Sequence, residues 1–316
     1  MSFSLLMIMD PLDSINIKKD TSFGMLLEAQ ARNWQLFYCQ PHDLFIEQGK
    51  VKALCQKIVV KNDTNHWYQA EEMSESELRS FSSVFMRKDP PFDMNYIYST
   101  YLLELAEREG TLVVNNPRSL RDCNEKLFTS WFPELTPKTL VSANSHKIKQ
   151  FINQQQDVIL KPLDGMGGAS IFRVKEGDPN VSVIIETLTS HGHHLIMAQK
   201  FIPEITLGDK RILVVNGEVI PYVLARIPKS GETRGNLAAG GSGVPMPISD
   251  KELQIAQQVA PELLKRGLYF VGLDVIGNYV TEINVTSPTC MRELEAEYGV
   301  NIAAKLFHAI EQKVSQ

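Results

Sequence analysis

Three oxygen-bearing side chains stand among apolar neighbours in the segment Phe270-Val-Gly-Leu-Asp274-Val-Ile-Gly-Asn-Tyr-Val-Thr-Glu282-Ile-Asn284. Glu282 and Asn284 are i and i+2, so on one strand they face the same side. Asp274 lies across a turn. A two-residue Gly277-Asn278 loop would oppose Asp274 to Thr281 and send Glu282 to the other face. A three-residue loop, Gly277 to Tyr279, would oppose Asp274 to Glu282, and this is the register we expect. Two carboxylates about 4 Å apart repel by roughly 4 kcal/mol at an effective dielectric of 20. A proton would offset that repulsion. So would Mg²⁺, which takes a few carboxylate oxygens together with substrate phosphates. The polar stretch Thr286-Ser287-Pro288-Thr289 follows and could hold a substrate. The plainer alternative is the wet face of a half-exposed sheet.

A second constellation is Lys161 followed by Asp164-Gly165-Met166-Gly167-Gly168-Ala169-Ser170. Glycines at this density let backbone N–H groups cradle a phosphate, and a lysine at the end of the entering strand can neutralise its charge. The loop is not a Walker loop, because Gly-Lys-Ser/Thr is absent and a strand follows it; the same strand excludes a dinucleotide fingerprint. It reads as a flap between two strands, an ordinary hairpin being the alternative. A third stretch, Ile227 to Gly243, holds five glycines and only four aliphatic residues. So long an unpatterned stretch inside a folded domain is usually a functional lid or a linker.

The elements that must carry these residues are legible from periodicity. Phe3–Met9 is an apolar strand stopped by Asp10-Pro11, Ser22 can cap a helix from Phe23 to Asn33, and Gln35–Cys39 is the next strand, which together make a parallel βαβ unit. Val51–Leu54 and Lys57–Val60 read as a hairpin or meander, Ser83–Met86 as a strand, Asn95–Arg108 as an amphipathic helix closed by Gly110, and Thr111–Asn115 as a strand. A helix is expected within Pro117–Phe132 and another over Ser145–Gln154. Strands are expected over Val158–Lys161, Ile171–Val174, Leu195–Lys200, Lys210–Val215, Val219–Arg226, Leu268–Ile276 and Tyr279–Val285, and helices over Val181–Leu188, Asp250–Arg266 and Asn301–Val314. The fold class is therefore α/β, passing to α+β in the C-terminal half.

The 316 residues suggest two domains at about 150 residues each. A net charge of −5 with a pI near 5.9 leaves no electrostatic footprint for nucleic acid. No run of 18 apolar residues predicts a membrane span. The four cysteines, Cys39, Cys55, Cys123 and Cys290, lack zinc-site spacing and read as reduced thiols of a cytoplasmic protein. His191, His193 and His194 read as a solvated turn.

With these parts in view, the chain resembles the bacterial glutathione synthetase family of the ATP-grasp superfamily. The residues that carry the resemblance are Met86-Arg-Lys-Asp-Pro-Pro-Phe-Asp93, Asn115-Asn-Pro-Arg-Ser-Leu-Arg-Asp-Cys-Asn-Glu-Lys-Leu127, Leu160-Lys-Pro-Leu-Asp-Gly-Met-Gly-Gly-Ala-Ser170, Ala225-Arg-Ile-Pro228, Gly231-Glu-Thr-Arg-Gly-Asn-Leu-Ala-Ala-Gly-Gly241 and Thr281-Glu-Ile-Asn-Val-Thr-Ser-Pro-Thr289. Ser242 departs from the basic residue expected there. The resemblance implies an N-terminal substrate domain (1–122), a central ATP-grasp subdomain with the glycine flap (123–202) and a C-terminal subdomain with the lid and metal site (203–316), the last two clamping ATP. It implies ligation of γ-glutamylcysteine to glycine with ATP as co-substrate, giving glutathione, ADP and phosphate.

By the same resemblance Lys126 and Lys161 would hold the ATP phosphates under Gly165, Gly167 and Gly168. Gln199, Lys200, Phe201 and Ile202 would form the adenine hinge, and Asp209 would bind ribose. Asp274, Glu282 and Asn284 would hold two Mg²⁺ ions, with Mn²⁺ as an alternative, while Arg211, Arg226 and Arg234 would stabilise the transferred phosphoryl. Arg87, Lys88, the Asn16–Asp20 loop, Ser287, Thr289 and Arg292 are candidates for the peptide and glycine carboxylates. A homotetramer is implied, with no nucleic-acid or membrane partner. Two rival readings are another carboxylate–amine ligase of the superfamily and a nucleotide-binding regulator that has lost catalysis.

Overall fold

The computed structural model describes residues 3–88, 90–237 and 240–315, so Asp89, Ala238 and Ala239 of the quoted motifs lie outside the described residues. The N-terminal part contains strands β1 (Ser4–Ile8), β2 (Gln35–Cys39), β3 (Leu44–Glu47), β4 (Lys50–Val60), β5 (Tyr68–Ala70), β6 (Ser74–Glu77), β7 (Ser83–Met86) and β8 (Leu112–Val114), with helices α1 (Thr21–Ala31), α2 (Met94–Arg108) and α3 (Pro117–Asp122). Its sheet runs β3-β4-β2-β1-β7-β8, with β5 and β6 also on β4. β2, β1, β7 and β8 are mutually parallel. β1 is buried along its length apart from Ser4, as the centre of a covered parallel sheet must be.

The central part has β9 (Thr139–Ser142), α4 (Ser145–Gln155), β10 (Asp157–Pro162), β11 (Phe172–Lys175), α5 (Val181–Thr189) and β12 (Ile196–Lys200). They form an antiparallel sheet in the order β11-β10-β12-β9. The C-terminal part has β13 (Asp209–Val215), β14 (Glu218–Ile227), β15 (Ser242–Pro247), α6 (Asp250–Lys265), β16 (Phe270–Ile276), β17 (Tyr279–Asn284), α7 (Met291–Tyr298) and α8 (Ile302–Val314), with sheet order β15-β14-β13-β16-β17. The N- and C-terminal sheets share their cores: Leu6, Ile8 and Val84 lie in one cluster with Ile212, Val271 and Leu273, and Leu5, Met7 and Phe85 in another with Leu213, Phe270 and Phe307. The central sheet keeps a small core of its own, built on Ile148, Ile152, Val158, Leu160, Ile185 and Ala198.

Most expected elements form, with local corrections. Helix α1 begins at Thr21 and is capped by Asp20, whose side chain accepts from Phe23 N–H; Ser22 lies inside the helix. The expected meander over 51–60 is one continuous strand, β4. The helix expected within Pro117–Phe132 stops at Asp122 and resumes as a 3₁₀ turn over Leu127–Trp131. The Asn124 side chain accepts from Lys126 and Leu127 N–H and so competes with helical hydrogen bonding. Strand β15 and helix α7 were not anticipated. The four cysteines are free and buried. Among the described residues no helix is long and apolar enough to cross a membrane, and no cluster of His, Cys, Asp or Glu, the three histidines included, forms a ready metal cage.

On α2, Glu107 accepts both of its hydrogen bonds from the Asn116 amide, at 3.1 and 3.2 Å. Burial pushes its carboxyl up to about 7, with Asn116 opposing and Glu104 adding to the rise. The sign follows from linkage: ionising a group whose folded value lies above its unfolded one (near 4.3) costs the folded state, so the penalty grows from about pH 4 to pH 7 and then levels. Glu107→Gln, which retains an acceptor for Asn116, is expected to be about 1 kcal/mol more stable than native at pH 8, after discounting for solvent screening of a half-exposed group, and equal to native near pH 4. Urea unfolding at the two pH values checks this; an offset independent of pH would contradict it.

Candidate active site

The site is assembled where β16 and β17 meet the end of β10. Asp274 opposes Glu282 directly, as expected, but the route differs. The turn is the two-residue Gly277-Asn278, with Ile276 opposite Tyr279, and the register shifts by one between Asp274 and Val275. Thr281 is the extra residue of a β-bulge, its hydroxyl donating to Asp274 O at 3.2 Å. Two residues further along the same strand pair, Asn284 opposes Gly272 and donates its amide N–H to Gly272 O.

Each carboxylate has cationic neighbours. Arg211 Nε donates to Asp274 Oδ1 at 2.6 Å, and Arg226 Nη2 lies 2.8 Å from Asp274 Oδ2. Burial alone would raise the Asp274 carboxyl; the two guanidiniums win and hold it well below the usual range. Glu282 Oε1 lies 3.5 Å from Lys161 Nζ and 3.8 Å from Lys126 Nζ. Burial lowers Lys161 below the ordinary lysine value despite Glu282, with Lys126 adding to the fall. Burial also works to lower Lys126, but Glu282 and Glu125 override it and raise that lysine. Lys126 pairs with Glu125 and donates to Gly165 O at 2.7 Å, tying itself to the start of the flap.

Lys126, Lys161, Gly165, Gly167, Gly168, Arg211, Arg226, Asp274, Glu282, Asn284, Ser287 and Thr289 line one cavity of about 210 Å³. A second cavity of about 80 Å³ adjoins it, since Lys161, Glu282 and Asn236 line both. Its walls include Gln199, Lys200, Phe201, Ile202, Asp209 and Arg234, with Ile159, Ile171, Ile205 and Ile276 supplying apolar surface. Asp209 Oδ2 lies 2.5 Å from Arg226, while its Oδ1 is buried with no hydrogen-bond partner among the described residues. Burial, resisted by Arg226, pushes this carboxyl up to about 7.

Three of the expected cations stand apart from these cavities. Arg87 is buried, donating to Ser22 Oγ at 3.1 Å and to Pro288 O at 2.9 Å, so it braces the Thr286–Thr289 loop from behind. Lys88 pairs with Asp10 at 2.7 Å. Arg292 covers the Phe23 ring and donates to Asn62. The Asn16–Asp20 loop includes residues that border a separate surface hollow with Thr64–Tyr68. Glu125, Asn236 and Leu237 line the main cavity without having been singled out. For Glu125 the available signal was its position beside Lys126, with which it pairs.

The oxygen donors suit a divalent cation. Glu282 and Asn284 share one side of β17, and the Asn284 amide oxygen remains an acceptor once its N–H binds Gly272 O. Two or three hard donors without a closed cage match Mg²⁺, which draws the rest of its shell from phosphates and water.

Comparison with known proteins supplies the family. The family model described as the prokaryotic glutathione synthetase ATP-grasp domain matches residues 125–299, and that of the N-terminal domain matches residues 3–121. Proteins named glutathione synthetase are 61% identical over 314 residues in Vibrio vulnificus strain YJ016, covering 99% of both chains. The relative so named in Shewanella oneidensis is 60% identical over 309 residues, covering 98% of both chains. Among solved structures, a D-cycloserine synthetase superposes with a TM-score of 0.67 at 13% identity, covering 98% of this chain and 99% of that one. A D-alanyl-alanine synthetase A from Vibrio cholerae O1 does so with 0.61 at 11% identity, covering 100% and 99%. Such distant structures share the fold alone. The chain belongs to the prokaryotic glutathione synthetase family of ATP-grasp ligases, and its reaction is the ATP-dependent, divalent-cation-dependent synthesis of glutathione.

Proposed function

We propose that the ligation runs through an acyl phosphate formed in the larger cavity, beneath the glycine flap. The observation that supports this most is the convergence of four cations, Lys126, Lys161, Arg211 and Arg226, on the one cavity that Asp274 and Glu282 also line. A carboxylate is a poor acyl donor because its leaving group would be oxide. Transfer of the γ-phosphoryl of ATP to the cysteinyl carboxylate of γ-glutamylcysteine releases ADP and supplies phosphate as the leaving group. The glycine amine then attacks the acyl carbon, loses its proton, and phosphate departs. The chain's task in such a sequence is positioning and charge stabilisation rather than covalent catalysis.

In this reading Lys126 and Lys161 hold the phosphates under Gly165, Gly167 and Gly168, and Arg211, Arg226 and Arg234 stabilise charge on the moving phosphoryl. Asp274, Glu282 and Asn284 would hold two Mg²⁺ ions, or Mn²⁺, whose charge offsets that of the phosphates. Gln199, Lys200, Phe201 and Ile202 border the smaller cavity as an adenine hinge, and the unsatisfied Asp209 Oδ1 is an acceptor for a ribose hydroxyl. Ser287 and Thr289 face the reacting carboxylate. Arg87 acts on the substrate through the loop it braces, and Lys88 and Arg292 are assigned to substrate carboxylates by family resemblance alone. The lid over 227–243 excludes water while glycine enters. A central subdomain over 123–202, between a substrate domain (1–122) and a C-terminal subdomain (203–316), closes on the nucleotide. A cytoplasmic homotetramer is the assembly we propose; light scattering would then give a mass near four times that of the chain.

The direct test of the intermediate uses hydroxylamine in place of glycine. With ATP, Mg²⁺ and γ-glutamylcysteine, one hydroxamate should form per ADP, and omission of γ-glutamylcysteine should abolish both. ADP release without trappable hydroxamate would refute the acyl phosphate.

A further inference from the structure

We infer that Glu232 is a positioning residue that sets Arg234 as a latch between the lid and the glycine flap, so that the two loops cover the nucleotide as one unit. The inference rests on the reading of residues 227–243 as a water-excluding lid. Arg234 Nη1 donates to Gly168 O at 3.2 Å, a polar contact that joins lid to flap. The guanidinium is held for that bond by Glu232, whose Oε2 accepts from Arg234 Nη2 at 2.6 Å. The other carboxylate oxygen accepts from the backbone N–H groups of Thr233 at 2.8 Å and Arg234 at 3.3 Å. One carboxylate therefore folds the backbone that carries Arg234 and fixes the side chain on it.

The seat on the flap side is shaped to match. Gly168 has φ +83°, and a Cβ there would lie 2.8 Å from Asn236 Oδ1 and 3.3 Å from Arg234 Cδ. The lid packs on bare backbone at that point, which only glycine allows. Asn236 lines both cavities and Arg234 the smaller one, so the latch sits over their junction, where a phosphate chain passing from one cavity to the other would lie. An arginine on a partly exposed loop otherwise samples many rotamers, and fixing one of them costs conformational entropy. Glu232 carries that cost before the nucleotide arrives.

The test compares Glu232→Ala, Arg234→Ala and the double variant for glutathione formed per ADP, for glycine-independent ADP formation with γ-glutamylcysteine present, and for the KM of ATP and of glycine. The expected result is a roughly tenfold rise in glycine-independent ADP formation in Glu232→Ala, a higher KM for glycine, a KM for ATP within twofold of native and an unchanged unfolding midpoint. Because Glu232 acts through Arg234, the double variant should be no worse than Arg234→Ala. Native coupling in Glu232→Ala beside uncoupling in Arg234→Ala would overturn the latch and leave the lid standing. Native coupling in Arg234→Ala would overturn the lid and the latch with it. Additive losses in the double variant, or a lowered unfolding midpoint in Glu232→Ala, would also overturn it.

Discussion

Glu282→Gln is expected to lower turnover by three orders of magnitude or more, and no concentration of Mg²⁺ should restore it. The substitution is nearly isosteric, so the bulged pairing with Asp274 can persist. What it removes is the single negative charge that lies 3.5 Å from Lys161 and 3.8 Å from Lys126. Both lysines are then left buried with one counterion fewer, and Lys161, already pulled down by burial, is pulled down further. On the proposed assignment two losses therefore coincide: a carboxylate charge on the cation and a counterion for a lysine that holds phosphate. Removing one preorganised electrostatic group from an active site costs about 10² to 10³ in kcat, and in the proposed site Glu282 would serve two such functions. Steady-state assays from low to saturating Mg²⁺, with circular dichroism to verify folding, would check this. Turnover within tenfold of native would remove Glu282 from the chemistry.

The second large effect concerns stability. Asn115 is buried at the end of β8, where its amide donates to Phe270 O at 2.9 Å and Val285 O at 2.7 Å and its carbonyl accepts from Phe270 N–H at 3.0 Å. Three backbone groups at the two ends of the β16–β17 hairpin thus find their partners in one side chain of the N-terminal part. Asn115→Ala strands all three. Each buried polar group left unpaired costs about 1–3 kcal/mol, so a loss of roughly 3–5 kcal/mol is expected, with partial relief if water enters the gap. The activity should fall as well, because Val285 leads directly into the Thr286–Thr289 loop. Denaturant unfolding of native and variant chains measures the first effect, and a cost below about 1 kcal/mol would show that the joint is held elsewhere.

Much of this architecture was legible because its signals are local. The apolar run Phe3–Met9 that becomes β1, the amphipathic pattern of α2 and the paired strands expected over Lys210–Val215 and Val219–Arg226 are all written in neighbouring residues. The opposition of Asp274 and Glu282 was also expected, though from a longer turn. The bulge at Thr281 was not legible, because what supports it is tertiary: Lys161 Nζ, from another sheet, donates to Thr281 O at 3.3 Å. Arg87 misled for a related reason. Its charge was visible, but its seat between Ser22 and Pro288 depends on how the N-terminal sheet docks against the C-terminal one. The break after Asp122 follows from a short polar side chain that competes with the helix backbone, a choice that sequence periodicity does not register.

The separate core beneath α4 and α5 has a further consequence, for exchange of amide protons with solvent. Cooperative opening follows contiguous packing, and residues 139–200 have only a handful of apolar contacts of their own to lose. That segment should therefore exchange as a block, well before the remainder, with protection rising when nucleotide bridges it to its neighbours. Strands near either terminus of the chain, interleaved through common clusters, should exchange together and last. A protease that attacks the open form would cut first within that block, and the two flanking fragments would remain associated after the cut.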